Sequence, residues 1–158
     1  MNLMLDGLIP RLEAWVQEEL GAQRKLLSNL KLQEQAIQLT DLDSLDRYIQ
    51  EGRKLRATSG PRDRRRHMLL KDFERVWSVS AKALTLGSIA ARLGSNGRRL
   101  DTLRRELKTT LKEIGGIARR VRTFARYHQS VIHEVVENVL ETNTDAIEQG
   151  GALVNTEA

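Results

Sequence analysis

Cysteine is absent from all 158 residues, so neither a disulfide framework nor a thiolate metal site can be built. Proline occurs twice and aromatic residues are few, against many Leu, Ala, Arg, Glu and Gln, which is a helix-former's composition. No apolar run reaches the ~20 residues that a membrane span needs. The opening MNLMLDGLIPRLEAW lacks the basic start and cleavage site of a signal peptide, and a cytoplasmic location is expected. Catalytic signatures are missing too. GSNGRR, at residues 94–99, lacks the Lys-Ser/Thr end of a phosphate loop and reads as a turn. The histidines are His67, His128 and His133, and the last two stand ~140° apart around a helix, unsuited to pairing as ligands. No Ser, His and Asp are arranged for a nucleophile, and Glu18-Glu19 reads as ordinary solvated charge. The expectation is a chain with no enzymatic activity, cofactor, metal or small-molecule substrate.

What is present is charge, and it is segregated. Residues 1–51 carry 5 Lys/Arg against 9 Asp/Glu, whereas residues 52–126 carry 21 against 6. Residues 127–158 carry none against 6. Blocks of opposite sign serve intramolecular pairing or protein docking as readily as they serve nucleic acid.

Helical periodicity runs through the chain. Leu5, Leu8, Ile9, Leu12, Trp15 and Val16 step by three and four, and Leu26, Leu27, Leu30 and Ile37 continue the stripe. This predicts a helix over about residues 3–38, with Pro10 bending it or removing a turn and a weaker patch at Glu18, Glu19 and Gln23. Thr40 or Asp41 can cap a second helix, opened by Leu42, Leu45 and Ile49. TSGPR at residues 58–62 interrupts it near Ser59–Pro61. Helix resumes through Leu69, Leu70, Phe73, Val76 and Trp77 and closes by LGSNG, where Gly94 suits a left-handed position. In the third segment Leu107, Leu111, Ile114, Ala118, Val121, Ala125, His128, Ile132, Val135 and Val139 alternate by four and three. Such a seam predicts coiled-coil packing over about residues 99–146, with residues after about 148 frayed. The fold expected is all-α: one domain over residues 1–158, an elongated antiparallel bundle of three main long helices, the second interrupted.

Two surfaces are candidates for binding. GRKLRATSGPRDRRRH packs seven Lys/Arg into residues 53–66, and Arg105, Lys108, Lys112, Arg119, Arg122 and Arg126 share the face opposite the third seam. Counterion release could bind phosphate backbones to such an array, but no aromatics are interleaved for base stacking and no recognition helix is present. The favoured reading is a solvated face that also meets the acidic first helix. The second surface lies in YHQSVIHEVVENVLETNTDAIEQGG, residues 127–151, which contains no Lys or Arg. On a helical wheel Val131, Ile132, Val135, Val136, Val139 and Leu140 spread over about 180°, with Glu134, Glu137 and Glu141 on the remaining face. Val and Ile lose side-chain freedom in a helix, so helicity here calls for a partner. That partner is another protein, the chain's own first helix, or a second copy in a homodimer.

The linkers and helix ends resemble those of the FlgN family of flagellar export chaperones over roughly residues 5–145. The likeness rests on Leu26-Leu27 before LQEQAIQLTDLDSLDRYIQEGRKL, on RRRHMLL, on LGSNGRRLDTLRRELKTTLKEI and on ARYHQSVIHEVVENVLE. Tyr127 and His128 stand where the family often has Asn, and Ser59-Gly60-Pro61 interrupts what is commonly continuous helix. The resemblance implies a cytoplasmic, non-enzymatic chaperone that binds hook–filament junction proteins, FlgK and FlgL, near their C-terminal helices. It would keep them unpolymerised and deliver them to the type III export apparatus. The family's client-binding portion maps onto Val131, Ile132, Val135, Val136, Val139 and Leu140, with Glu134, Glu137 and Glu141 as its rim. The alternatives from the residues alone are a basic coiled coil that binds nucleic acid and a structural homodimer.

Overall fold

The computed structural model describes the backbone of residues 3–155 and the side-chain surroundings of residues 4–141, and every regular element among them is helical. Helices α1 (Leu3–Gln38), α2 (Leu42–Ala57), α3 (Ser59–Trp77), α4 (Leu86–Leu93) and α5 (Arg98–Asn155) follow in order, with 3-10 turns at Ala81–Ala83 and Gly94–Gly97. The all-α bundle of three long helical arms, the second divided, is the architecture that the periodicity predicts.

Local chemistry sets the borders. Thr40 takes the left-handed conformation, with φ 53°, and closes α1: its N–H donates to the Ile37 carbonyl and that of Asp41 to the Ala36 carbonyl. Asp41, rather than Thr40, then caps α2, its carboxylate accepting the Ser44 N–H at 3.1 Å. The break in the second arm falls at Thr58, and Ser59–Pro61 forms the first turn of α3. Pro61 is tolerated there because N–H groups of a first turn lack intrahelical acceptors.

A second break separates α3 from α4, where the sequence predicts continuous helix to LGSNG. Ser78, with φ 52°, turns the chain out of α3, and Thr85 with Ser88 forms a reciprocal capping box that starts α4. Gly94 has positive φ, 57°, as its position predicts. Gly97 is required for another reason: a Cβ there would overlap the Ala90 carbonyl. Helix α5 continues to Asn155, past the expected end near residue 146. The fraying expected after residue 148 falls on residues whose side chains, and residues 156–158 entirely, lie outside the described residues.

The chain divides into two compact units, Met1–Arg119 and Arg120–Ala158. In the first, α3 runs antiparallel to α1, as Arg11–Asp72, Arg65–Glu18 and Arg62–Glu19 show. The start of α5 runs in the same direction as α1, with Arg99 near Glu13 and Arg24 bonded to Glu106. Leu12, Val16, Phe73, Ile89 and Leu100 lie at the centre of the core, fully enclosed. Towards the α1–α2 turn the core becomes polar. Asn29 Nδ2 donates to the Tyr48 carbonyl at 2.9 Å, and Gln33 Nε2 donates to Asn29 Oδ1 at 2.7 Å. Within this unit the α5 seam is offset from the expected one. Leu107, Thr110 and Ile117 are buried, Ile114 is half-buried, and Leu111 is exposed.

Candidate partner-binding surface

Apolar side chains that fail to enter a core are the starting point for a docking surface. Past residue 120, α5 carries them at helical spacing. Val131, Ile132, Val135, Val136, Val139 and Leu140 are all exposed, from 37% for Val131 to 60% for Ile132 and Leu140. Phe124 and Tyr127 are exposed just before them, while Val121 and His128 are half-buried. The Tyr127 and His128 rings meet edge-on with centroids 6.1 Å apart. Every one of the six sequence-predicted apolar residues thus lies on one helix and faces solvent.

The rim is acidic. Glu134, Glu137 and Glu141 are exposed on the polar side of the same helix. Glu137 Oε1 lies 3.1 Å from His133 Nε2, one turn away, an exposed pair that adds little to stability. With no Lys or Arg between residues 127 and 141, the polar face of this stretch carries only negative formal charge at neutral pH.

The basic block of residues 53–66 is used differently by the fold. Arg62 is buried at 8% exposure; its Nε donates to Glu19 Oε2 at 2.7 Å and its Nη1 to the Thr58 carbonyl at 3.0 Å. Arg65 Nη2 donates to Glu18 Oε1 at 2.6 Å, and that contact holds the Glu18 carboxyl below its ordinary range. Glu18 and Glu19, in the patch of α1 that interrupts the apolar stripe, are therefore where the basic block lands, while Gln23 Nε2 donates to Glu19 Oε1 at 2.6 Å. Arg105 on α5 is likewise engaged, bonded to Asp101 at 2.7 Å.

One concave feature was not legible from periodicity. A cleft of about 520 Å³ in the first unit is lined by Trp15, Leu70, Leu84, Leu86, Leu107 and Leu111, among others. Leu84 comes from the connector between α3 and α4 and Leu86 opens α4, and the signal that locates them is Thr85-x-x-Ser88, a cap pattern inside an apolar run. Glu19, Asp63, Arg66 and Arg104 also line it, and their formal charges balance. It has neither the apolar continuity nor the charge bias of residues 131–141.

Among the described residues no helix is long and apolar enough to cross a membrane. The family model described as FlgN protein matches residues 1–149. No curated protein and no solved structure matches the chain.

Proposed function

The chain belongs to the FlgN family of flagellar export chaperones, and from that premise we propose that it guards hook–filament junction proteins of the FlgK and FlgL kind in the cytoplasm. It binds their C-terminal helices, keeps them from polymerising and delivers them to the type III export apparatus. One observation carries the choice of surface: six aliphatic side chains stand exposed on a single helix between residues 131 and 140. An amphipathic client helix laid along them is helix-in-groove recognition, read at i, i+3, i+4 and i+7 spacing. Burial of each Val, Ile or Leu is worth ~1.5–3 kcal/mol, which exceeds what ordering the client costs when several are covered. The Glu134, Glu137 and Glu141 rim sets the orientation of the client and speeds its encounter more than it tightens the complex.

Replacing Val135→Asp together with Val139→Asp tests this. Pull-down of the client is expected to disappear while far-UV helicity stays close to that of the natural chain, since both positions are exposed. Undiminished capture would remove this face from the function.

A further inference from the structure

We propose that the outward stripe of α3 is a second docking site, one that receives an acidic helix of a partner protein. Residues 53–75 carry 9 Lys/Arg against 3 Asp/Glu, and the fold engages few of these cations. Arg62 and Arg65 bond to Glu19 and Glu18 of α1, and Arg75 lies 3.8 Å from Asp72. Arg53, Lys54, Arg56, Arg64, Arg66 and Lys71 form no ion pair among the described residues. Cations gathered without counter-charges repel one another, and an anionic surface that meets them relieves that cost.

Periodicity shows how the anion must be built. Helix α3 buries Arg62, Leu69 and Phe73. Turned away from that face, Arg64, Met68, Lys71 and Arg75 step by four, three and four, and all are exposed. This is the spacing of a helix-packing seam, here with one apolar residue, Met68 at 62% exposure, set among cations. From Arg64 to Arg75 the seam covers three turns, ~16 Å. A partner helix laid along it sets acidic residues, four and seven apart, opposite Arg64, Lys71 and Arg75. An apolar residue between them rests on the Met68 thioether, whose unbranched chain adapts to it, and the Arg and Lys stems pack beside the contact. Other polyanions fit less well. No exposed aromatic stands on α2 or α3 to stack a base, since Phe73 is buried and Tyr48 and Trp77 are half-buried. A membrane surface calls for an apolar face to insert, and the stripe offers Met68 alone. The stripe belongs to the first unit, and its assignment does not rest on the client face of α5.

Titration calorimetry of the full chain tests this with a synthetic three-heptad helix that carries Glu and one Leu at those positions. The same helix with Gln for every Glu is the control. The acidic helix is expected to bind and the control not to. Its Kd should rise about tenfold in Arg64→Gln/Lys71→Gln, the loss of two charge contacts, and severalfold in Met68→Gln. Arg53→Gln/Arg56→Gln removes the same charge from α2 and should change Kd by less than about twofold. All these positions are exposed, so far-UV helicity and thermal midpoint should match the natural chain in each variant. Equal weakening by the two double variants would replace the seam with a diffuse field and overturn the proposal. Absent binding of the acidic helix, or equal binding of the Gln control, would overturn it as well. So would tighter binding of oligothymidylate or of phosphatidylglycerol vesicles, lost in Arg64→Gln/Lys71→Gln, which would assign the stripe to nucleic acid or to a membrane surface.

Discussion

Arg62 ties α3 both to α1 and to the break that precedes it, and its three hydrogen bonds explain why a guanidinium is tolerated at 8% exposure. Glu19 neutralises it, while the Thr58 carbonyl and hydroxyl accept at 3.0 and 3.1 Å from the break between α2 and α3. Its own carbonyl accepts the Trp15 indole N–H at 2.9 Å, so side chain and backbone of one residue both tie α3 to α1. Arg62→Ala would strand Glu19 in a mostly enclosed site and leave the Thr58 carbonyl without its side-chain donor. Loss of one partner from such a pair typically costs about 3 kcal/mol. Urea unfolding should show that loss as a lower midpoint with an unchanged slope. A change under about 0.5 kcal/mol would mean that the pair is worth no more than a surface ion pair.

At the scale of the helix, the junction between α1 and α2 is well built but for one residue. Its two closing hydrogen bonds and the Asp41 cap are in place, yet Thr40 holds a left-handed backbone, costly for a β-branched side chain. Thr40→Gly removes that strain without touching the cap. Thermal unfolding should show the variant more stable by about 1 kcal/mol, part of the gain being offset by the greater freedom of glycine in the unfolded chain. An unchanged or lowered midpoint would show that the Thr40 side chain contributes contacts worth as much as its strain. Elements of this kind also show what a sequence can and cannot reveal. Helix α1 and the exposed face of residues 131–140 were legible because one apolar period persists over many turns. The break at residues 78–85 was not, because apolar residues continue through it and only Ser78 and the Thr85–Ser88 cap mark it. Nor was the α5 seam: 107, 110, 114, 117 and 121 keep a heptad as well as 107, 111, 114, 118 and 121 do. Hydropathy favours Leu111 over Thr110, but the core takes Thr110 and leaves Leu111 exposed.

For the whole molecule, a basic middle block between acidic flanks makes the carboxylates the partners in short supply. Three of them are held below their ordinary range. Arg65 does this to Glu18, chiefly through its hydrogen bond; the Ser44 donors do it to Asp41; and Arg104, aided by Arg105, does it to Asp101. A lowered pKa means that the folded chain binds fewer protons than the unfolded chain as acid is added. Stability from these groups is therefore fully present above the unfolded carboxylate pKa, about 4, and is lost as pH falls through the folded values. Thermal midpoints should stay level from about pH 7 to about pH 5 as far as these groups are concerned and fall steadily below about pH 4. A triple variant, Glu18→Gln, Asp41→Asn and Asp101→Asn, should be less stable at neutral pH but lose less on acidification, with Asn keeping the α2 cap. Because Glu18 and Asp41 are solvent-exposed and Asp101 is no more than half-buried, added salt should shrink the difference between the two chains at neutral pH. Equal acid sensitivity in both would place the titrating groups elsewhere, in carboxylates that this arrangement does not engage.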